Sequence, residues 1–327
     1  MKPQDILPYI GSMQQLAYVR PVVYQEGRAS GLRAIELENG SLHLEIMADK
    51  CLDIASLRLD GQNLSFLAKN GLQGLASYDT NGMEAQRSIM GGLFFTCGPD
   101  NVGPPQVEDG VPVPMHGRFR VTPAEHVCCD AFWQEDRYIL SVSGEMHVGQ
   151  LFGSHLILRR KIQTEWGSPT LTIHDEIINA GFLPAPCMLL YHVNAGYPLL
   201  QENAQVIIPS QQVIPRDAAA ESGLHDWDQM PAPAPGVPEQ VFYHKGLPEQ
   251  MQIGVKGANG HALWLCYARE ELPMLTQWKS SASGDYVVGL EPGNCWVEGI
   301  ARERERGTLQ FLEPGETKTV TLHIRAE

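Results

Sequence analysis

Basic residues are in short supply. The 327-residue chain has 24 Lys and Arg against 38 Asp and Glu, which leaves a net charge of −14 with the histidines neutral. A nucleic-acid partner needs a basic footprint, so none is expected, and binding to anionic membranes or highly phosphorylated ligands is disfavoured. No apolar run approaches the ~20 residues that span a bilayer, and "MKPQDILPYIGSMQQL" lacks the apolar stretch of a secretory signal. A cytoplasmic protein with no membrane partner is the expectation. Cysteine is scarce and unpatterned: the seven positions, 51, 97, 128, 129, 187, 266 and 295, form no CxxC pair. An odd count with two adjacent members argues against a disulfide framework or structural zinc, and for reduced thiols. The GxSxG, HExxH and GxxxxGK[ST] signatures are all missing, and so is any repeat of 20–50 residues that would signal a propeller or solenoid. Helical periodicity is weak, confined to residues 3–17, interrupted by Pro8, and to parts of 68–88.

What is there is period two. "LRAIELENGSLHLEI" alternates on both sides of Asn39-Gly40, a strong hairpin signal, and "LDIASLRLDGQNLSFL" follows with an Asp-Gly turn. "RYILSVSGEM", "SHLILRRKIQ", "TLTIHDEIINAG" and "KTVTLHIRAE" continue the style, each bounded by turn-forming residues. With 43% hydrophobic residues, the chain can fill a large core. The fold expectation is all-β, a large antiparallel β-sandwich or barrel with few short helices. One continuous domain over 1–327 is preferred to two, with a proline-rich surface excursion at about 215–245. The centre of that excursion, "DWDQMPAPAPGVPEQ", reads as a stiff extended segment suited to a lid or a subunit contact.

Four stretches carry candidate chemistry. "LLYHVNAGYPLL" places His192 and Asn194 in an apolar run, where a strand that merely filled a core would need neither. A core histidine satisfied by a carbonyl is the commoner case for such a residue taken alone. "MGGLFFTCGPDNVGPP" leads paired glycines into a Gly/Pro/Asn loop, for which a tight turn is the ordinary reading. "PMHGRFRV" sets His116 before Gly117 where the loop is expected to enter a strand with Arg118 and Arg120. "VVGLEPGNCW" puts Glu291 at the end of an apolar strand, either as a catalytic carboxylate or as a terminator pointing to water. "LHDWD" reads as a solvated loop, and "ARERERG" as the charged face of a turn or an edge strand.

In their order along the chain these stretches resemble the aldose 1-epimerase (galactose mutarotase-like) superfamily. Its hexose-phosphate epimerase branch carries a GGIPxCxPWxG loop and then HGFAR; here "GGLFFTCGPDNVG" and "HGRFR" keep Gly91, Gly92, Cys97, Pro99, Gly103, His116, Gly117 and Arg120. The family's H-x-Y-F-N segment is similar to "YHVNAGYPLL", its C-[IL]-E-P segment to "GLEPGN", and its closing strand to "FLEPGETKTVTLHI". The loop has one extra residue before its cysteine, and Asp100-Asn101 replaces the family's Trp-Phe. This is the pattern of a divergent branch.

The resemblance implies a galactose mutarotase-like supersandwich and an isomerase that interconverts sugar anomers. Glu291 would be the base at the C1 hydroxyl, and His192 the acid at the ring oxygen. His116 would donate a hydrogen bond near C1 or the ring oxygen. Arg87, Asn101, Asn194 and Trp278 are the further candidates for contacting the sugar hydroxyls and its stacking face. No metal or organic cofactor is required, and the expected partner is a small sugar, neutral rather than phosphorylated, with a homodimer left open. Two other readings stay open: a carbohydrate-binding or sensing protein without the chemistry, and a different isomerisation of a keto or deoxy sugar.

Overall fold

The structure is a computed structural model, and it describes residues 3–74, 80–108 and 110–327. Alternation dictates the start of the first sheet. Arg33–Glu38 and Leu42–Met47 pair antiparallel around Gly40, whose φ of 89° suits glycine. Asp60 and Gly61, at φ 48° and 83°, turn Asp53–Leu59 back onto Gln62–Asn63, the two-residue hairpin geometry that a right-handed strand twist favours.

This first sheet runs Tyr18–Val23, Arg33–Glu38, Leu42–Met47, Asp53–Leu59, Phe94–Cys97, Leu190–Ala195, Asp285–Gly293, Met274–Ala282, Gln240–Lys245 and Gln212–Pro215 in spatial order. The second runs Glu125–Gln134, Arg137–Gly149, His155–Glu165, Thr170–Asn179, Thr317–Ala326, Ala262–Ala268, Gln250–Lys256 and Gln205–Ile207. All these pairings are antiparallel. Inward residues of both sheets, such as Leu44, Ile54, Phe94 and Tyr191 from one and Leu158, Ile173, Leu265 and Ile324 from the other, share one buried cluster. The sandwich is the expected one.

A charged network lies inside it. Arg160, from the second sheet, is fully buried and donates to both carboxylate oxygens of Asp175, at 2.9 and 2.6 Å. It also donates to Asp53 Oδ1 and Thr96 Oγ1, each at 2.9 Å. Tyr191 donates to Asp175 at 2.6 Å, and Thr96 to Asp53 at 2.7 Å. The arginine thereby ties the strands of Thr96 and Tyr191 to the opposite sheet.

Two local expectations are corrected. "ARERERG" is neither turn nor edge strand but the helix Ile300–Arg306, closed by Gly307 in the left-handed region. Its alternating signs look like period two, yet they serve i,i+3 pairs, Arg302 with Glu305 and Glu303 with Arg306. His116 leads into a 3-10 turn, Phe119–Val121, rather than a strand. Within 68–88 the regular helical element is the 3-10 stretch Gly82–Arg87, while 75–79 lie outside the described residues. At the start, Pro3–Ile6 forms one α-turn, with short 3-10 pieces after it. Among the described residues no helix is long and apolar enough to cross a membrane.

The proline-rich excursion leaves and re-enters the first sheet between its paired edge strands, Gln212–Pro215 and Gln240–Lys245. It holds a short helix, Ala218–Ser222, capped by Asp217, and Ala234 then bridges to Ala282. This bridge adds the excursion to the sheet beside the end of Met274–Ala282.

Candidate functional site

Sheet register explains why residues far apart in sequence meet. Leu190–Ala195 pairs on one side with Phe94–Cys97, placing Phe95 across from His192. On its other side Val193 faces Leu290 and Asn194 faces Gly289, a register that sets His192 across from Glu291. The next strand puts Thr276 beside Glu291 and Trp278 beside Gly289. Side chains alternate across a strand. Tyr191 and Val193 therefore face the core, while Phe95, His192, Glu291 and Trp278 share the outer face, which forms the floor of a cleft of about 950 Å³.

The central pair is in direct contact. His192 Nε2 and Glu291 Oε1 are 3.0 Å apart, with the residues 7% and 2% exposed. The contact has the distance of a hydrogen bond but not its direction, so Oε1 remains a buried acceptor without a donor. An orphaned buried oxygen costs free energy unless something supplies a proton to it. The His192 ring stacks on Phe95 at 4.5 Å and meets Trp278 edge-on at 5.3 Å. Its Nδ1 lies 2.7 Å from Asn194 Oδ1.

His116 reaches the same cleft from the glycine loop. Its ring stands nearly perpendicular to that of His192, centroids 5.9 Å apart, and its Nδ1 lies 3.5 Å from Cys97 Sγ. Enclosure by protein, then the neighbouring His192 and Arg120, push its pKa well below the usual histidine range, so it is neutral at neutral pH. The loop needs glycine where backbones nearly touch. A Cβ on Gly98 would lie 2.0 Å from the Met188 carbonyl oxygen, and one on Gly117 2.4 Å from that of Gly98. The glycines thus have the structural job that composition suggested, and that job sets His116 in place.

The remaining candidates separate. Trp278 lines the cleft, its indole N–H held by Glu239 at 2.8 Å. Asn194 borders the cleft too, but its amide donates to the carbonyls of Gly92 and His192, so it orients His192 rather than offering itself to a ligand. Two assignments are corrected. Arg87 lies outside the cleft on an exposed turn, paired with Glu84 at 3.1 Å. Asn101 is wholly buried, with Nδ2 on the carbonyls of Pro104 and Pro114 and Oδ1 on the Ile300 amide; it ties loops together. Arg118 and Arg120 do not line the cleft either: the first pairs with Asp100, and the second donates to Met115 O and Ser88 Oγ.

Sequence reasoning missed Phe95, Gly289 and Glu239. Phe95 and Gly289 show period-two parity with recognised residues, Phe95 with Cys97 and Gly289 with Glu291; Glu239 gives no such signal. The cations that do line the cleft are Lys69, Arg216 and Arg302, and each has a carboxylate partner. Lys69 holds Asp285 at 2.7 Å, Arg216 holds Asp217 and Glu239 at 2.9 and 3.2 Å, and Arg302 holds Glu305 at 2.7 Å. Among the described residues no group of His, Cys, Asp and Glu side chains could hold a metal ion.

A family model described as a domain of unknown function, DUF4432, matches residues 29–326. None of the curated proteins matches the chain. Among solved structures, a provisionally assigned aldose 1-epimerase from Klebsiella pneumoniae superposes with a TM-score of 0.90 at 21% identity, over 96% of this chain and 86% of that one. A galactose mutarotase-like protein from Clostridium acetobutylicum gives 0.66 at 12% identity, over 96% and 99%. A galactose 1-epimerase from Lactobacillus acidophilus gives 0.60 at 13%, over 95% and 99%. The fold is the galactose mutarotase-like sandwich.

Proposed function

The chain belongs to the family described as a domain of unknown function, DUF4432, and we propose that it is an aldose 1-epimerase-like isomerase that interconverts the anomers of a sugar. The observation that carries this reading is the orphaned Oε1 of Glu291, buried at the floor of the cleft 3.0 Å from His192 Nε2. The two oxygens that must exchange protons during ring opening, the C1 hydroxyl and the ring oxygen, share one carbon. Two groups in mutual contact can therefore serve both, and a gap as wide as a sugar ring, which separate acid and base sites would suggest, is not needed.

In the forward step the C1 hydroxyl gives its proton to Glu291, and His192 gives the proton on Nε2 to the ring oxygen. The C1–O bond of the ring breaks as the C1 carbonyl forms. After rotation about C1–C2, the hydroxyl freed from the ring attacks the other face of the carbonyl and returns its proton to His192, while the carbonyl oxygen takes one from Glu291. No atom is gained or lost. Acid–base partners of this kind contribute about 10²–10⁴-fold each. His116, neutral, supplies a hydrogen bond near C1, and Trp278 offers an aromatic face at the cleft wall. The substrate is a neutral sugar, since every cation lining the cleft is already matched by a carboxylate.

Exchange NMR on a panel of reducing sugars tests the function directly. Catalysed transfer of magnetisation between α and β anomers is expected for at least one neutral sugar. If the purified chain binds a sugar without accelerating that exchange, it is a binding or sensing protein.

A further inference from the structure

The two histidines of the cleft are held by different kinds of partner, and those partners dictate where each ring carries its proton. Asn194 Nδ2 donates to two carbonyl oxygens, of Gly92 at 3.2 Å and of His192 at 3.0 Å. Turning the amide over would set its oxygen against both carbonyls, so its orientation is fixed. Oδ1 must then face His192 Nδ1 at 2.7 Å, and an amide oxygen only accepts. Nδ1 of His192 therefore bears a hydrogen, and Nε2, 3.0 Å from Glu291 Oε1, is the atom that gains and loses one.

At His116 the logic is reversed. Its Nδ1 faces a thiol, 3.5 Å from Cys97 Sγ. Burial, then the negative charge of Glu291, push the Cys97 pKa well up, so the sulfur keeps its hydrogen. The imidazole lone pair is a better acceptor than sulfur, so S–H to Nδ1 is the favoured direction. The neutral ring then bears its hydrogen on Nε2, which has no hydrogen-bond partner among the described residues while the side chain lines the cleft.

We infer that Asn194 and Cys97 are positioning residues that lock the two cleft histidines in opposite tautomers: when neutral, His192 carries its proton on Nδ1 and His116 on Nε2. His116 is thereby a fixed donor to a ligand oxygen, and His192 Nε2 the site of proton exchange. The catalytic meaning of this arrangement rests on the isomerase reading above; the tautomers themselves do not.

Long-range ¹H–¹⁵N correlation spectra of the full-length, ligand-free protein, recorded where the rings are neutral, read each tautomer from the two ring-nitrogen shifts. His116→Gln and His192→Gln variants assign the signals. The expected result is a protonated Nδ1 in His192 and a protonated Nε2 in His116. Free histidine prefers Nε2–H, so His192 is the discriminating ring. Asn194→Ala should return His192 towards Nε2–H, and Cys97→Ala should shift the His116 ratio by about fivefold towards Nδ1–H. Cys97→Ser, which keeps a donor, should restore it. The same tautomer in both rings of the parent protein overturns the inference, whatever the variants do. Opposite tautomers without anomer exchange would leave it standing and remove the isomerase reading instead.

Discussion

Adding one methyl group at Gly289 should separate catalysis from stability. A Cβ there would lie 2.9 Å from Glu291 Oε1, 3.1 Å from His192 Cε1 and 3.3 Å from Trp278 Cβ. The backbone of Gly289 is outside the left-handed region, so alanine brings no conformational penalty, and shortening the unfolded chain's freedom favours it by about 0.4–1 kcal/mol. Of the three neighbours, the indole Cβ is anchored to its strand, and the imidazole is held by Asn194 and Phe95. The carboxylate end of Glu291 is the part that can yield. Reaching an ordinary contact of ~3.5 Å needs a retreat of about half an ångström or more. Overpacking costs about 1–3 kcal/mol in general, and at the low end of that range here because a side-chain tip absorbs it. Catalysis is less forgiving: misplacing a reacting group by ~1 Å costs on the order of 10²-fold, about 2.7 kcal/mol of barrier. Gly289→Ala should therefore melt within a few degrees of the parent while anomer exchange, followed by NMR with a responsive sugar, falls about 10²-fold. A folded variant with undiminished turnover would refute the placement of Glu291 at the reacting carbon.

The other predictions bear on the pair, the buried network and the ligand's charge. His192→Ala and Glu291→Gln should each lower kcat by about 10²–10⁴-fold with the fold intact; near-parental turnover in both would reject the assignment. Inside the sandwich, burial lifts Asp53 from 3.8 to about 6, opposed by Arg160 and the Thr96 hydrogen bonds. The native acid holds its proton more tightly than the unfolded one, so its stabilising contribution is full below about pH 3.8 and is lost as pH rises through about 6. Denaturation midpoints of Asp53→Asn should therefore gain on the parent as pH rises across that window, and a constant difference would contradict the shift. Isothermal titration with a responsive sugar and its phosphate ester at two salt concentrations should show tighter binding of the neutral form; a phosphate that binds better, and loses affinity with salt, would reveal an anion site.

The sheets were legible because their signals are local. Asn39-Gly40 and Asp60-Gly61 specify turns within two residues, and the alternation beside them specifies which face is buried. The helix at Ile300–Arg306 was illegible for the converse reason: its alternating Arg and Glu fit a strand as well as i,i+3 pairing, and only the left-handed Gly307 decides between them. The site was partly legible. His192 and Glu291 stand out as polar residues in apolar strands, though it is the family resemblance that implies their roles. What could not be read was register, because pairing between distant strands leaves no mark in either strand alone. Register decides that Trp278 lines the cleft and that Gly289 lies between it and His192. Arg87, a candidate for the sugar hydroxyls, instead pairs with Glu84 on an exposed turn.

The two faces of the same strands explain why His192 and Glu291 can be held so closely on a sheet. Phe95 and His192 turn outward to the cleft, while their neighbours Thr96 and Tyr191 turn inward to Asp53, Asp175 and Arg160. A shift of either strand along the sheet would break charge-assisted hydrogen bonds that no water can replace in a fully buried site, so the register beneath the cleft is strongly specified. Apolar packing alone would tolerate small slides, since dispersion contacts are individually weak and non-directional. The directional bonds of Arg160 do not, and they fix the strand on which His192 must meet Glu291. The inner network and the outer pair are thus two consequences of one alternation: the polar residues that look misplaced in these apolar strands hold the strands on one face and bring His192 to Glu291 on the other.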